Sequence, residues 1–166
     1  MPYIHGFLPI CHKDAHTLIL GSMPSRESLL QQRYYAHPRN SFWPIVCDLL
    51  GMKSPEYTQR TELLKSRGIA LWDVLQACFR SSSLDSDIDD STIVTNDFGS
   101  FLQRHDKIAR VFFNGAKAES VYLRHVNPGL STAHEHIRLQ RLPSTSPANA
   151  GMTIAQKRQA WKAILK

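Results

Sequence analysis

Four short apolar runs, each closed by a turn signal, constrain this sequence more than anything else in it: Thr17–Ser22 (TLILGS), Ile69–Leu75 (IALWDVL), Ile108–Asn114 (IARVFFN) and Ile137–Leu142 (IRLQRL). Runs of this length read as strands covered on both faces. Helical patterns lie between and after them. Phe42, Ile45, Val46, Leu49 and Leu50 recur at helical spacing, with Ser41 as the expected N-cap, Pro44 in the first turn and Gly51 as the stop. Shorter helices are expected over 55–67, 96–104 and Ala116–His125. The last helix opens on a Thr153/Gln156 capping box, with Ile154, Trp161, Ile164 and Leu165 as its buried stripe and Arg158, Lys162 and Lys166 as a basic face. Strands alternating with helices predict a three-layer α/β/α sandwich around a mostly parallel four-stranded sheet, formed by residues 1–166 as a single domain.

Composition narrows the class. A chain of 166 residues with 42% hydrophobic residues can build a real core, which excludes disorder and small disulfide scaffolds. Stretches such as Thr17–Leu20 and Arg110–Phe113 fall far short of the roughly 20 apolar residues a bilayer requires, and Met1–Ile10 lacks a basic region leading an apolar one. No membrane association is expected, and the expected location is cytoplasmic, at the nucleoid if the source is bacterial. Cys11, Cys47 and Cys78 are isolated from one another, so neither a structural metal nor a cysteine-ligated cluster is expected. The net charge of +6 is unevenly distributed: residues 71–100 hold one basic and six acidic side chains, and 101–166 hold eleven basic and three acidic. That balance permits a nucleic-acid partner. Within it, the acidic stretch Arg80–Asp90 is expected to be a surface loop facing away from any phosphate backbone.

Ligands of open α/β sheets collect beyond the carboxyl ends of the strands. Three loops meet that rim: Gly21-Ser22-Met23-Pro24-Ser25 after the first strand, Asn114-Gly115 after the third, and Leu142–Gly151 (LPSTSPANAG) after the fourth. Between the first two strands lies Tyr34–Trp43 (YYAHPRNSFW). Taken singly, each has an ordinary reading as a turn or a helix cap. Their joint placement suggests a pocket made of small residues, prolines and neutral hydrogen-bonding groups.

The order GSMPS, NSFW, FFNG and LPSTSPAN resembles the uracil-DNA glycosylase superfamily, and within it most of all the hypoxanthine (deoxyinosine) DNA glycosylase branch. The likeness runs from about residue 17 to 150. It implies a monofunctional base-excision enzyme, acting as a monomer on DNA that carries deaminated bases, with hypoxanthine first and uracil or xanthine as alternatives. No cofactor or metal is implied. A nucleotide must flip into the pocket, and breaking its glycosidic bond leaves positive charge on the sugar and negative charge on the base. Neutral donors that hold the base, with a positioned water at the sugar, serve such a reaction.

The resemblance assigns roles residue by residue. Gly21, Ser22, Met23 and Pro24 lie against the flipped base, with Ser25 beside the DNA. Several relatives carry a water-activating Asp or Asn where this chain has Met23; the hypoxanthine branch instead implicates the asparagine of its NSFW segment, and the resemblance therefore implies Asn40 as the catalytic residue. Phe42 matches the aromatic that stacks on the base and Asn114 the asparagine that reads it, while Tyr35 and His37 are further candidates for the pocket wall. Asp73 ranks below Asn40 as another polar contributor. Ser144, Thr145 and Ser146 are expected at phosphates, Pro147, Ala148 and Asn149 at the gap left by the flipped nucleotide, and Arg39, Arg141, Lys157 and Arg158 as phosphate contacts. Two other readings compete: a serine hydrolase using Ser22 or Ser25, which no GxSxG elbow supports, and a non-catalytic DNA-binding module.

Overall fold

The computed structural model describes residues 3–53 and 56–166. Four strands form the central sheet: β2 (Thr17–Gly21), β3 (Ile69–Asp73), β6 (Arg110–Asn114) and β7 (Arg138–Leu142). Their order is β3-β2-β6-β7 and every pairing is parallel, as the spacing of the apolar runs predicts. Alternation along the strands feeds two separate cores. Leu18, Leu20, Trp72, Val111 and Phe113 pack with Phe98, Phe101 and Tyr122 on one face. Ile19, Leu71 and Phe112 pack with Phe42, Ile45, Val46, Leu64 and Trp161 on the other. The first face is covered by α4 (Phe98–Arg104) and α5 (Ala116–Val121), the second by α2 (Phe42–Leu49), α3 (Tyr57–Ser66) and α6 (Ile154–Trp161). The result is the expected three-layer sandwich. A short α1 (Arg26–Gln31) follows the loop after β2.

The run 69–75 is not one strand. It breaks at Val74, and the chain swings into a second, antiparallel sheet of β1 (Tyr3–His5), β4 (Leu75–Phe79) and β5 (Val94–Thr95) in the order β1-β4-β5. The break is held by main-chain bonds from Val74 N–H to Gly21 O (2.8 Å) and Leu75 N–H to Ser22 O (3.1 Å), which tie the ends of β2 and β3 together. Position 55, at the start of one expected helix, lies outside the described residues; α3 begins at Tyr57 with Glu56 as its N-cap.

Helix α6 keeps its capping box, with Thr153 Oγ1 accepting from Gln156 N–H (3.1 Å) and Gln156 Oε1 from Thr153 N–H (2.9 Å). Its buried stripe differs from the expected one. Trp161 and Ile164 are buried, whereas Ile154 and Leu165 are 63% and 50% exposed and Lys157 is buried instead. Lys157 fits because its ammonium donates to Ser146 O (3.3 Å), so the aliphatic stem lies inside while the charge meets a carbonyl. Trp161 meets the Phe42 ring edge-on at 5.7 Å and donates from Nε1 to Pro143 O (2.9 Å), connecting the core to the loop after β7. Trp161→Ala should therefore cost about 3–5 kcal/mol, read as a lower urea midpoint; a loss under about 1 kcal/mol would show that this ring is not a keystone of the second core.

Candidate active site

The carboxyl ends of β2, β3 and β6 open onto a cavity of about 310 Å³, at the lower end of the range for small-molecule clefts. One wall is the loop Gly21–Ser25. Arg80, itself buried, donates from Nη2 to Pro24 O (2.6 Å) and holds that loop from behind, and Ser25 Oγ caps α1 by accepting from Ser28 N–H (3.2 Å). Gly21 is required by close approach: a Cβ there would stand 2.5 Å from Asp73 Oδ1 and 2.9 Å from Tyr35 Oη. Met23 is buried against the core, and a thioether there offers no group able to orient water.

The segment after α1 supplies the second wall. Tyr35 has φ +54°, a left-handed conformation that costs a non-glycine residue energy and concentrates at functional sites. Its ring stacks on Phe42 with centroids 4.0 Å apart, and its hydroxyl is buried without a hydrogen-bond partner. Phe42, expected as the stacking aromatic, is fully buried beneath Tyr35 and is not part of the cavity lining, whose aromatic residues are Tyr34 and Tyr35. Asn40 does reach the cavity, and its Oδ1 accepts from Phe42 N–H (3.0 Å). Asn40 thus performs the capping expected of Ser41, whose side chain makes no cap bond because its Oγ donates instead to Thr145 O (3.2 Å).

The third wall joins β6 to the loop after β7. Asn114 Nδ2 donates to Thr145 Oγ1 and Thr145 N–H donates to Asn114 Oδ1, both at 2.9 Å, while Ser41 N–H also donates to Thr145 O (3.0 Å). Thr145 is 1% exposed, which leaves it holding the loop rather than meeting a phosphate. Gly115, at φ +96°, lets this loop close over the strand end, where a Cβ would meet Ser144 Cβ at 3.1 Å. Beyond Thr145 the chain turns back on itself: Ser146 Oγ accepts from Ala148 N–H (3.2 Å) and Asn149 Nδ2 donates to Ser144 O (3.1 Å). Ala148 is exposed at the tip of this turn.

Against expectation, the acidic loop after β4 does not face away. Ser83, Leu84, Asp85 and Ser86 complete the cavity, and Ser22 Oγ donates to Asp85 Oδ1 (2.5 Å). Burial pushes the Asp85 carboxyl up, and the Ser22 hydroxyl and the charges of Arg80 and Lys117 oppose it. The clue in the sequence was Arg80, the lone basic residue among six acidic ones between 71 and 100, a cation too isolated to be incidental. Asp73 at the end of β3 also lines the cavity, with Oδ2 unpartnered and its carboxyl pushed up to about 7 by burial first and Asp85 second, against the pull of Arg80.

Among the expected phosphate contacts, Arg39 is exposed, Arg141 lies 3.6 Å from Glu119, and Arg158 pairs with Asp48 at 2.5 Å. His37 lies outside this cavity and lines an adjoining groove with Arg33, Tyr57 and Arg60, while Asn40 and Tyr35 belong to both. No cluster of side chains suited to a metal occurs among the described residues, and no described helix is long and apolar enough to cross a membrane.

Comparison with known proteins agrees with this geometry. A family model described as the uracil DNA glycosylase superfamily matches residues 8–165. The chain is similar to a hypoxanthine DNA glycosylase of Methanosarcina acetivorans, 34% identical over 97% of each chain. It is 36% identical to a hypoxanthine DNA glycosylase of Methanosarcina barkeri, over 68% of this chain and 72% of that one. A solution NMR structure named for a candidate uracil DNA glycosylase of Methanosarcina acetivorans superposes with a TM-score of 0.77 at 30% identity, covering 99% of this chain and all of that one.

Two outcomes follow from the geometry of the walls. Asn114→Ala removes both bonds to Thr145 and leaves a buried N–H and hydroxyl unpaired, so it should destabilise by about 2–4 kcal/mol, measured by urea unfolding; a neutral variant would mean that the clamp is dispensable. For Asp73 the native state holds a proton that the unfolded chain releases near pH 3.9, so stability should fall as pH rises from about 4 to about 7 and level off above. Asp73→Asn should flatten much of that decline, with Asp85 leaving a residual slope of the same sign; urea midpoints across pH that are parallel for the two proteins would refute it.

Proposed function

The chain belongs to the uracil DNA glycosylase superfamily and is a DNA glycosylase by that kinship, and from this premise we propose that it removes hypoxanthine from deoxyinosine in DNA. The single observation that favours this base over uracil or xanthine is that the curated relatives matched along the chain carry the name hypoxanthine DNA glycosylase. The cavity is consistent with it. Apart from Asp73 and Asp85, its polar walls are serine, threonine, asparagine and tyrosine, neutral groups able to hold a base whose negative charge grows as the glycosidic bond breaks.

In this reading Asn40 is the catalytic residue. Its Oδ1 is fixed by Phe42 N–H and keeps a second lone pair for a water, and its Nδ2 hydrogens remain as donors. The amino end of the eight-residue α2 stands beside it and favours partial hydroxide character. The Gly21–Ser25 loop and Tyr35 enclose the base, Asn114 keeps its place at the edge by clamping Thr145, and Pro147, Ala148 and Asn149 project toward the duplex. Phosphate contacts rest on Arg39 and the exposed part of Arg141, because Lys157 and Arg158 already hold Ser146 and Asp48. The serine hydrolase reading loses ground: Ser22 donates to a carboxylate, Ser25 caps a helix, and the cavity lining contains no histidine.

A duplex with one deoxyinosine, incubated with the protein and treated with alkali, should be cut at that site. Uncut duplex across a panel of deoxyinosine, deoxyuridine and deoxyxanthosine would defeat the proposal. Asn40→Ala should slow single-turnover excision by about 10²–10³-fold while duplex binding persists; an unchanged rate would remove Asn40 from the mechanism. Binding should weaken between about 50 and 200 mM salt, with Arg39→Ala lowering the salt slope by about one.

A further inference from the structure

The chemistry assigned above leaves one buried carboxyl of the cavity unused. Asp73 closes β3, is 4% exposed, lines the cavity and has no partner for Oδ2. Facing it across Gly21 is the Tyr35 hydroxyl, also buried, with the Asn114 amide beside it but without a well-formed hydrogen bond. A Cβ at Gly21 would stand 2.5 Å from the other carboxyl oxygen of Asp73, Oδ1, and 2.9 Å from the Tyr35 hydroxyl, so the glycine is what lets the two side chains share one end of the cavity. Two buried polar groups without protein partners at one point call for a polar guest. Tyr35 is held there in a left-handed conformation, a cost that a merely structural ring over Phe42 does not explain.

Building on the base-excision reading, we propose that the Asp73 carboxyl and the Tyr35 hydroxyl form a donor pair that hydrogen-bonds a carbonyl oxygen of the flipped base and thereby selects keto bases over amino bases. The groups that face Asp73 are Tyr34 and Tyr35 from the segment between α1 and α2, and Asp85 and Arg80 from the chain after β4. Burial and the Asp85 charge hold the Asp73 proton to about pH 7, so near neutrality the carboxyl populates its acid form, with one O–H to donate. Burial first and Asp73 second push the Tyr35 hydroxyl upward too, against the pull of the Asn114 amide, so the phenol stays protonated as a donor. Deamination turns an exocyclic amino group into a carbonyl, a donor into an acceptor. Paired donors match the carbonyl, whereas the amino group of adenine would set donor against donor, the mismatch by which polar sites reject analogues most strongly. As the bond to the sugar breaks, charge gathers on the same oxygen and both hydrogen bonds strengthen. An ionised Asp73 would repel that charge instead.

The test is single-turnover excision from a deoxyinosine duplex over about pH 5.5–9.5 by the wild type, Asp73→Asn and Asp73→Ala. The wild-type rate should fall as pH rises through about 7, approaching tenfold per unit. Asp73→Asn keeps a donor that does not ionise, so its profile should be flat over that range and within about tenfold of the wild type at its fastest; Asp73→Ala should be slower by about 10²–10³-fold. A wild-type rate that rises with pH through 7, an Asn variant as slow as the Ala variant, or an Ala variant as fast as the wild type each overturns the donor pair. Cleavage by the wild type with such a result sinks this inference alone, whereas a wild type that removes no base sinks the excision reading together with it.

Discussion

Thr145 is the point on which the site depends. Its N–H and hydroxyl are both met by the Asn114 amide, and its carbonyl by the N–H and hydroxyl of Ser41. One buried residue thereby joins the end of β6, the start of α2 and the loop after β7, three pieces of chain that are far apart in sequence and whose mutual placement defines the cavity. Polar networks of this kind are stable only when every member is satisfied, and a single deletion strands several groups at once. The second core reinforces the arrangement from below, since Trp161 holds Pro143 and Phe42 supports Tyr35.

This clamp also changes how the small polar residues of the loops are understood. Asn114 and Thr145 stand where the resemblance puts base reading and phosphate contact, but their hydrogen-bonding groups act within the protein. The unsatisfied groups lie elsewhere around the site, on Tyr35, Asp73 and Arg80. A folded chain normally pairs such groups, and their concentration about one cavity, together with the positive φ of Tyr35, marks where stability has been given up for binding.

The sheet was legible because burial on both faces leaves a strong trace: continuous apolar runs closed by turns match all four central strands to within two residues at each end. Periodicity could not show the break at Val74, because β3 and β4 are both apolar there and the bend is set by bonds to Gly21 and Ser22, 53 residues away for either pair. The cavity's first and third walls were readable from glycine, proline and serine at strand ends. Its acidic wall was not. Composition places carboxylates in solvent by default, and only the fold shows Ser22 and Arg80 beside Asp85. Likewise the stripe of the last helix differs at Ile154 and Leu165, because the buried positions are Lys157 and Trp161 in α6 and Ile164 in the turn that follows it.

The surplus of positive charge in the last third of the chain acts differently from its sum. Lys157 holds the Ser146 carbonyl, Arg158 pairs with Asp48, Lys117 pairs with Asp90, and Arg110 donates to Thr17 and to the carbonyls of Ala163 and Ile164. These cations fasten the loop after β7, the helix behind it and the acidic segment to the body of the protein. Long-range attraction is a property of the whole field and survives such pairing, but local phosphate contacts need an exposed cation. Near the cavity Arg39 is such an exposed cation, and the proposed function gives it that role. Under the proposed function this division is useful, because weak contacts to the phosphates would let the protein move along a duplex while the loops joined at Thr145 hold the cavity in shape.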